Sequence, residues 1–482
     1  MAIRGQTEAA PNPKRWIILL AVMSAGIMGP IDGTVVNIAL PTISTVFNAS
    51  VAVVGWVPMA YLLILGSLIL TYGRLGDMFG FRRVFLTGVV IFTVASAISA
   101  SAPNIWILIL FRAFQALGAG MFMAMGQAIV TSVFPTKERG RALGTNSMVV
   151  AVGLALGPSL GGFLLTVSSW RAIFWINIPI GIFAFFFARS VLPLPKDLKR
   201  QKFDARGAIL GFVSLASLLL AGSYGGEYGW RSPLVYILTV LFFVGTWGFV
   251  SWERRVDQPM LDLTLFRNKV FAGANFAALM NFIAQSAAVF LVPFYLETVL
   301  RFTPQHTGLI LTASPAVTFV VAPLSGALSD RLGTRRLAFI GQSIVTVAFL
   351  LLHTLNASST GLDIAWRLAI FGLGVGMFQS PNNSAIMGNV PRNRLGVGSG
   401  VLATVRNVGM VLGVAVSSTV FAMQQSLISG RAGADATTAF MAGLRAAYLV
   451  AAILAAAGAF TSLIRSDKAP ALTSVPERPA QG

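Results

Sequence analysis

The stretch Gly73-Arg-Leu-Gly-Asp77-Met-Phe-Gly80-Phe-Arg82-Arg83 occurs a second time as Gly326-Ala-Leu-Ser-Asp330-Arg-Leu-Gly333-Thr-Arg335-Arg336. Both copies fit G-x-x-x-D-x-x-G-x-R-R, start 253 residues apart, and fill a short charged gap between long apolar runs. Other landmarks return at nearly the same spacing. Gly118-Ala-Gly120-Met-Phe122 recurs as Gly374-Val-Gly376-Met-Phe378, and Gly153 with Gly157 recurs as Gly409 with Gly413, each 256 residues on. The chain is therefore a duplication with equivalent joints, and internal repeats of apolar segments are a mark of secondary transporters.

The material between the joints identifies the solvent. Of the 482 residues 56% are hydrophobic and 11% charged, whereas roughly a quarter of a soluble domain is charged. Apolar runs of about 20 residues, each able to cross about 30 Å of hydrocarbon at 1.5 Å per residue, fill nearly the whole length. The expected fold is an all-α polytopic membrane protein. Charged or Gly/Pro-containing gaps divide it into fourteen helices at 16–40, 51–72, 84–101, 105–133, 140–167, 172–190, 206–226, 233–252, 270–299, 305–327, 337–354, 364–386, 396–424 and 443–465.

The first six of these repeat as the last six. The expected organisation is an N-terminus (1–15), a six-helix bundle (16–190), a linker (191–205), two inserted helices without counterpart (206–252), a second linker (253–269), a second six-helix bundle (270–465) and a disordered tail (466–482). Of the 35 Lys and Arg, only Arg171, Arg231, Arg301, Arg367, Arg431 and Arg445 fall in gaps on one side. Arg112 and Arg406 lie within helices and the remainder fall on the other side, which the positive-inside rule makes cytoplasmic. Both termini and both repeated loops are then expected on the cytoplasmic side of a cell (inner) membrane. The net charge of +19 is spread along one face of a membrane rather than gathered for nucleic acid. There is no Cys, and His306 and His353 lack partners at ligand spacing, so no cofactor, metal site or enzyme active site is expected.

Several residues stand out against this apolar background. In each repeated loop the glycines permit a tight turn, and Asp77 or Asp330 can accept hydrogen bonds or pair with Arg, as a gating latch between Gly73, Gly80, Arg82, Arg83 and Gly326, Gly333, Arg335, Arg336 would. Asp32, between Pro30 and Gly33, lies about 24 Å past Trp16, and an intramembrane carboxylate marks protonation or cation binding. Arg112 enters the fourth helix from its outer end to a comparable depth. At 100° per residue Arg112, Gln115, Met123 and Gln127 share one face, which reads as a cavity lining. The fifth helix carries Gly153, Gly157, Pro158, Gly161 and Gly162, which suit close helix packing and a bend. Asn281 and Gln285, with Gln379, Asn382 and Asn383 around Pro381, supply further amides for a pathway.

With these motifs in place, the chain resembles the major facilitator superfamily. The loop from Gly73 to Arg83 is similar to that family's signature between helices 2 and 3, Gly153 to Gly162 to its antiporter motif, and Arg112-Ala-Phe-Gln115-Ala-Leu-Gly118 to a helix-4 motif associated there with proton transfer. Asp32-Gly-Thr-Val-Val-Asn37-Ile-Ala-Leu-Pro41 and Trp170 to Pro179 resemble the fourteen-helix drug:proton antiporter branch, the EmrB/QacA group. The resemblance implies two pseudo-symmetric bundles plus two extra helices, proton coupling through Asp32 and Arg112, and export of lipophilic monocationic or neutral compounds. Its implied partners are small lipophilic substrates, protons, the lipid bilayer and accessory export proteins. Some relatives that export dications carry an extra acid in helix 10, and residues 305–327 contain none. The alternative is transport of one metabolite or organic anion drawn to Arg112 and Arg406.

Overall fold

The computed structural model describes residues 13–193, 204–227, 232–256, 263–390, 395–429 and 435–464. The first of the fourteen expected segments is split into α1 (Arg15–Gly26) and α2 (Met28–Phe47), and the second into α3 (Val51–Val54) and α4 (Trp56–Phe79). Then follow α5 (Phe81–Ala100), α6 (Ile105–Val133) and α7 (Thr136–Val167), with the sixth segment split into α8 (Ala172–Trp175) and α9 (Asn177–Val191). The pair without counterpart is α10 (Ala205–Glu227) and α11 (Pro233–Glu253). The remaining segments are α12 (Lys269–Phe294), α13 (Pro304–Leu332), α14 (Thr334–His353), α15 (Gly361–Gly388), α16 (Leu395–Ser429) and α17 (Ala436–Ile464).

Among the described residues eleven spans are long and apolar enough to cross a membrane, while α3 with α4, α7 and α10 carry shorter apolar stretches, Val51–Gly66, Val152–Val167 and Arg206–Leu218. Boundaries differ from expectation where polarity changes without a helix breaker. The fifth helix starts at Thr136 rather than at 140, because Lys137, Glu138 and Arg139 leave the apolar run but fit a helix. The first runs on to Phe47, where Asn48 adopts a left-handed conformation and ends it. Within the expected 253–269 linker lies a short 3-10 turn, Leu263–Arg267. Most of the 191–205 linker and the whole 466–482 tail fall outside the described residues.

The three splits share a cause. Helix continuity lapses at Ile27, Gly55 and Ile176, three residues before Pro30, Pro58 and Pro179. A proline has no N–H for the carbonyl four residues earlier, so those of Gly26, Val54 and Trp175 lose their helical donors.

The duplication is visible in the packing. A Cβ on Gly118 would meet Phe92 backbone and the Gly88 carbonyl, and one on Gly374 would lie 2.7 Å from Val345 N and 2.9 Å from the Gly341 carbonyl. These contacts join α5 to α6 and α14 to α15 at equivalent residues. Gly153 and Gly157 of α7 lie against Ile27, Pro30, Ile31 and Thr34, and Gly409 and Gly413 of α16 against Leu279, Phe282, Ile283 and Ser286. Each of those first-segment residues is matched 252 positions later. The two repeated turns also agree: Gly80 has φ 88° and Gly333 φ 86°, a region open to glycine and costly for other residues.

At the end away from those turns, one apolar core runs through both halves, with Val35, Leu40 and Val57 joined to Phe290, Phe294, Phe371 and Tyr448. At the turn end the clusters are separate, one around Phe85, Phe122 and Met125 and another around Phe271, Ile386 and Val401. The halves also meet where Gly162 touches Pro304 and Gln305, where Gly308 touches Pro158, and where the Ser159 and Thr312 hydroxyls lie 2.7 Å apart. Helix α10 lies against α4 and α16, with Trp56 and Tyr224 ring centroids 6.4 Å apart. Its partner α11 is held by a 2.6 Å Ser214–Thr246 contact and leaves Trp247 74% exposed, as a lipid-facing helix would.

Candidate functional site

Two of the proline breaks, at Ile27 and Ile176, lie beside one carboxylate. Asp32 sits one turn into α2, and its Oδ2 lies 2.5 Å from Nη1 of Arg112 on α6. The same Nη1 donates to Oε1 of Gln115 at 2.7 Å, and Gln115 Nε2 donates to Asp32 Oδ1 at 3.0 Å and to Ser96 Oγ at 3.2 Å. Asn177, the first residue after the break between α8 and α9, donates from Nδ2 to Asp32 Oδ1 at 3.0 Å and to Ser96 Oγ at 3.1 Å. Ser96 Oγ in turn donates to the Phe174 carbonyl at 3.0 Å. The Arg112 guanidinium stacks on the Tyr61 ring, 4.3 Å from its centroid.

None of these groups touches water: Asp32 and Arg112 are each 1% exposed, and Ser96, Gln115 and Asn177 are 0% exposed. A buried ion pair survives only with good geometry and hydrogen bonds to its remaining atoms. Here both carboxylate oxygens are occupied by donors. The arrangement can hold one negative charge in the membrane interior, and adding a proton to Asp32 would release Arg112 from it.

The equivalent place in the second half is apolar. Asp32, Ser96, Arg112 and Gln115 correspond to Ala284, Phe349, Leu368 and Phe371, all buried, with the Phe349 and Phe371 rings 5.3 Å apart. Among the described residues, a fully buried ion pair at this level therefore occurs in the first half only.

The structure brings Asp32, Arg112 and Gln115 together and scatters the other sequence candidates. Gln115 sits inside the polar network rather than lining a cavity, Met123 is half-buried and Gln127 is exposed. The single helical face expected of α6 is divided because the helix passes from bundle interior to surface along its length. Gln285 and Gln379 are half-buried, Asn383 is exposed, and Asn382 donates to the Ala274 carbonyl at 3.1 Å. Asn281 is fully buried, and among the described residues both of its amide atoms lack a hydrogen-bond partner. Beside Asp32, a Cβ on Gly33 would meet nothing within 4 Å.

Of the latch residues, Arg82 donates to the Arg189 carbonyl at 2.6 Å, Arg83 and Arg336 are exposed, and Arg335 is half-buried. A Cβ on Gly326 would lie 2.6 Å from Ser380 Oγ. Gly73 lies in the last turns of α4, and the side chains of Asp77 and Asp330 fall outside what the structure describes. Sequence reading assigned no role to Ser96, Tyr61 or Asn177. Asn177 had a signal, two residues before the helix-breaking Pro179. Ser96 had none, being one of two serines in α5.

A family model described as Major Facilitator Superfamily matches residues 22–414. The chain is 36% identical over 440 residues to the riboflavin transporter RibZ of Clostridioides difficile, covering 91% of this chain and 95% of that protein. It is 32% identical over 408 residues to the multidrug resistance protein Stp of Mycobacterium tuberculosis, covering 84% and 76%. Among solved structures it resembles a bacterial homolog of the human lysosomal transporter Spinster in an inward-facing, unoccupied conformation. The TM-score is 0.68 at 17% identity, covering 94% of this chain and 97% of that one.

Proposed function

The chain belongs to the Major Facilitator Superfamily, whose members are membrane transporters and not enzymes, and from that premise we propose that it is a proton-coupled antiporter exporting lipophilic compounds. The observation that carries this is the Asp32–Arg112 pair, a titratable carboxylate sealed from water and fully hydrogen-bonded. Protonation of Asp32 ends the ion pair and frees the guanidinium, so the α2–α6 contact has two arrangements. Rocking of the two halves then alternates access: the far-end core opens as the turn end closes, and the proton is taken up on one side and released on the other. One proton moving down about 100 mV supplies about 2.3 kcal/mol, enough for roughly a fifty-fold gradient of a neutral substrate.

The same proposal assigns Gly153, Gly157 and Pro158 to the hinge between α7 and α2, and the two Arg-rich turns to gating. The Lys and Arg asymmetry supports an inner-membrane orientation with those turns and both termini in the cytoplasm, fourteen spans in all, as in the drug:proton antiporter branch. The resemblance to a multidrug resistance protein supports drugs as cargo. A narrower reading, export or import of one metabolite, is favoured by the resemblance to a riboflavin transporter. Reconstituted protein challenged with a panel of lipophilic drugs and with riboflavin separates the two. Several unrelated drugs moving protons supports the antiporter, and riboflavin alone doing so supports the narrower reading.

A further inference from the structure

Arg406 of α16 has no use in the site described above. It lies six residues, about 9 Å, inside the apolar stretch Gly400–Ser429, and it is half-buried. Among the described residues it makes no hydrogen bond or ion pair: the salt bridges are Arg15–Glu138, Asp32–Arg112 and Arg367–Asp363. A guanidinium at that depth is costly unless paired or serving a pathway.

Its direction follows from its neighbours on the helix. Gly409 and Gly413 press on Leu279, Phe282 and Ile283 of α12, while Asn407 presses on Gly66 of α4 in the other half. At 100° per residue Arg406 falls between these two contact faces. On the same strip are Ala403 and Met410, both half-buried, and the Met410 carbonyl accepts from Ser286 of α12 at 3.0 Å. Arg406 thus points into the seam between the halves, between α12 and α4, and not toward lipid, where a long side chain would snorkel to the headgroups.

The charge balance of the seam follows. Arg112 is neutralised by Asp32 at 2.5 Å, and both carboxylate oxygens already accept hydrogen bonds. In this arrangement Asp32 is engaged by Arg112, Gln115 and Asn177. Among the described residues, what the seam offers an incoming molecule is one positive charge without a partner and with a fork of N–H donors, beside Asn407, whose Nδ2 also lacks an acceptor there.

We propose that Arg406 is the substrate-charge selector, pairing with a single carboxylate or comparable anionic group on an otherwise lipophilic molecule. This rests on the transporter reading and names its cargo class. A monoanion meets a ready partner, while a monocation would meet like charge in low dielectric, where repulsion is strong. The neutral group of an aromatic amide is tolerated without that gain.

The test uses the full-length protein in lipid nanodiscs and three probes on one scaffold: pyrenebutyrate, pyrenebutyramide and a pyrenylbutyl trimethylammonium. Wild-type protein is expected to bind the carboxylate at least about tenfold more tightly than the ammonium. Arg406→Gln should collapse that ratio, Arg406→Lys should retain most of it, and Met410→Glu, which supplies an acid one turn along the same strip, should abolish it with the arginine still present. No binding of the carboxylate by wild-type protein, or a ratio untouched by both Arg406→Gln and Met410→Glu, overturns the assignment. The binding assay needs no proton gradient. Failure of liposome transport alongside an Arg406-dependent binding ratio would therefore refute the antiporter while leaving the selector standing.

Discussion

At the residue scale, the Asp32 network explains why two changes of similar size should differ. Asp32→Asn keeps shape and an amide oxygen that still accepts from the Arg112 guanidinium but cannot titrate, so it should leave a folded protein whose melting temperature falls less than that of a variant with no polar partner left. Arg112→Leu strands a carboxylate that is 1% exposed, and removing one partner of a buried pair costs about 3–5 kcal/mol. A large drop in melting temperature for Arg112→Leu, partly restored by adding Asp32→Asn, is expected; equal stability of the Arg112→Leu single variant and wild type would contradict the pair's burial. Asp32 and Arg112 were legible in the sequence because a charge in an apolar run has few explanations. Ser96 was not, and Asn177 showed only as a residue beside a helix-breaking proline, since their roles lie in four chain segments converging, which no local pattern encodes. Gln115 was placed on the right helix face and given the wrong surroundings for the same reason.

Among helices and turns, the duplication makes paired predictions possible. Gly118→Ala and Gly374→Ala each drive a Cβ into the backbone of a neighbouring helix, and overpacking of that kind costs about 1–3 kcal/mol. Both should lower the melting temperature by similar amounts. Gly33→Ala, where a Cβ would meet nothing within 4 Å, should leave it unchanged. Gly80→Ala and Gly333→Ala, at φ 88° and 86°, should each cost about 1–3 kcal/mol through backbone strain, and a clear difference between them would mean the turns are not equivalent. Turns and helix positions were readable because glycine, proline and apolar length act locally. The continuation of α7 down to Thr136 was less so, because loss of apolarity ends a membrane span without ending a helix.

For the whole molecule, the shared far-end core and the Ser159–Thr312 contact, 2.7 Å between hydroxyls, hold the halves together at one end. If access alternates, that contact must part in every cycle. The chain has no Cys, so Ser159→Cys with Thr312→Cys gives one defined crosslink. Oxidation should stop transport and a reductant should restore it; undiminished transport by fully crosslinked protein would rule out opening at that end. The most direct test of proton-coupled export is simultaneous recording of substrate and proton flux by purified protein in liposomes under an imposed pH gradient. Wild-type protein should accumulate substrate against its gradient with counter-moving protons, and Asp32→Asn should exchange substrate across the membrane without accumulating it or moving protons. Gradient-driven accumulation by Asp32→Asn at the wild-type rate, or wild-type accumulation with no proton movement, would contradict the role assigned to the buried carboxylate.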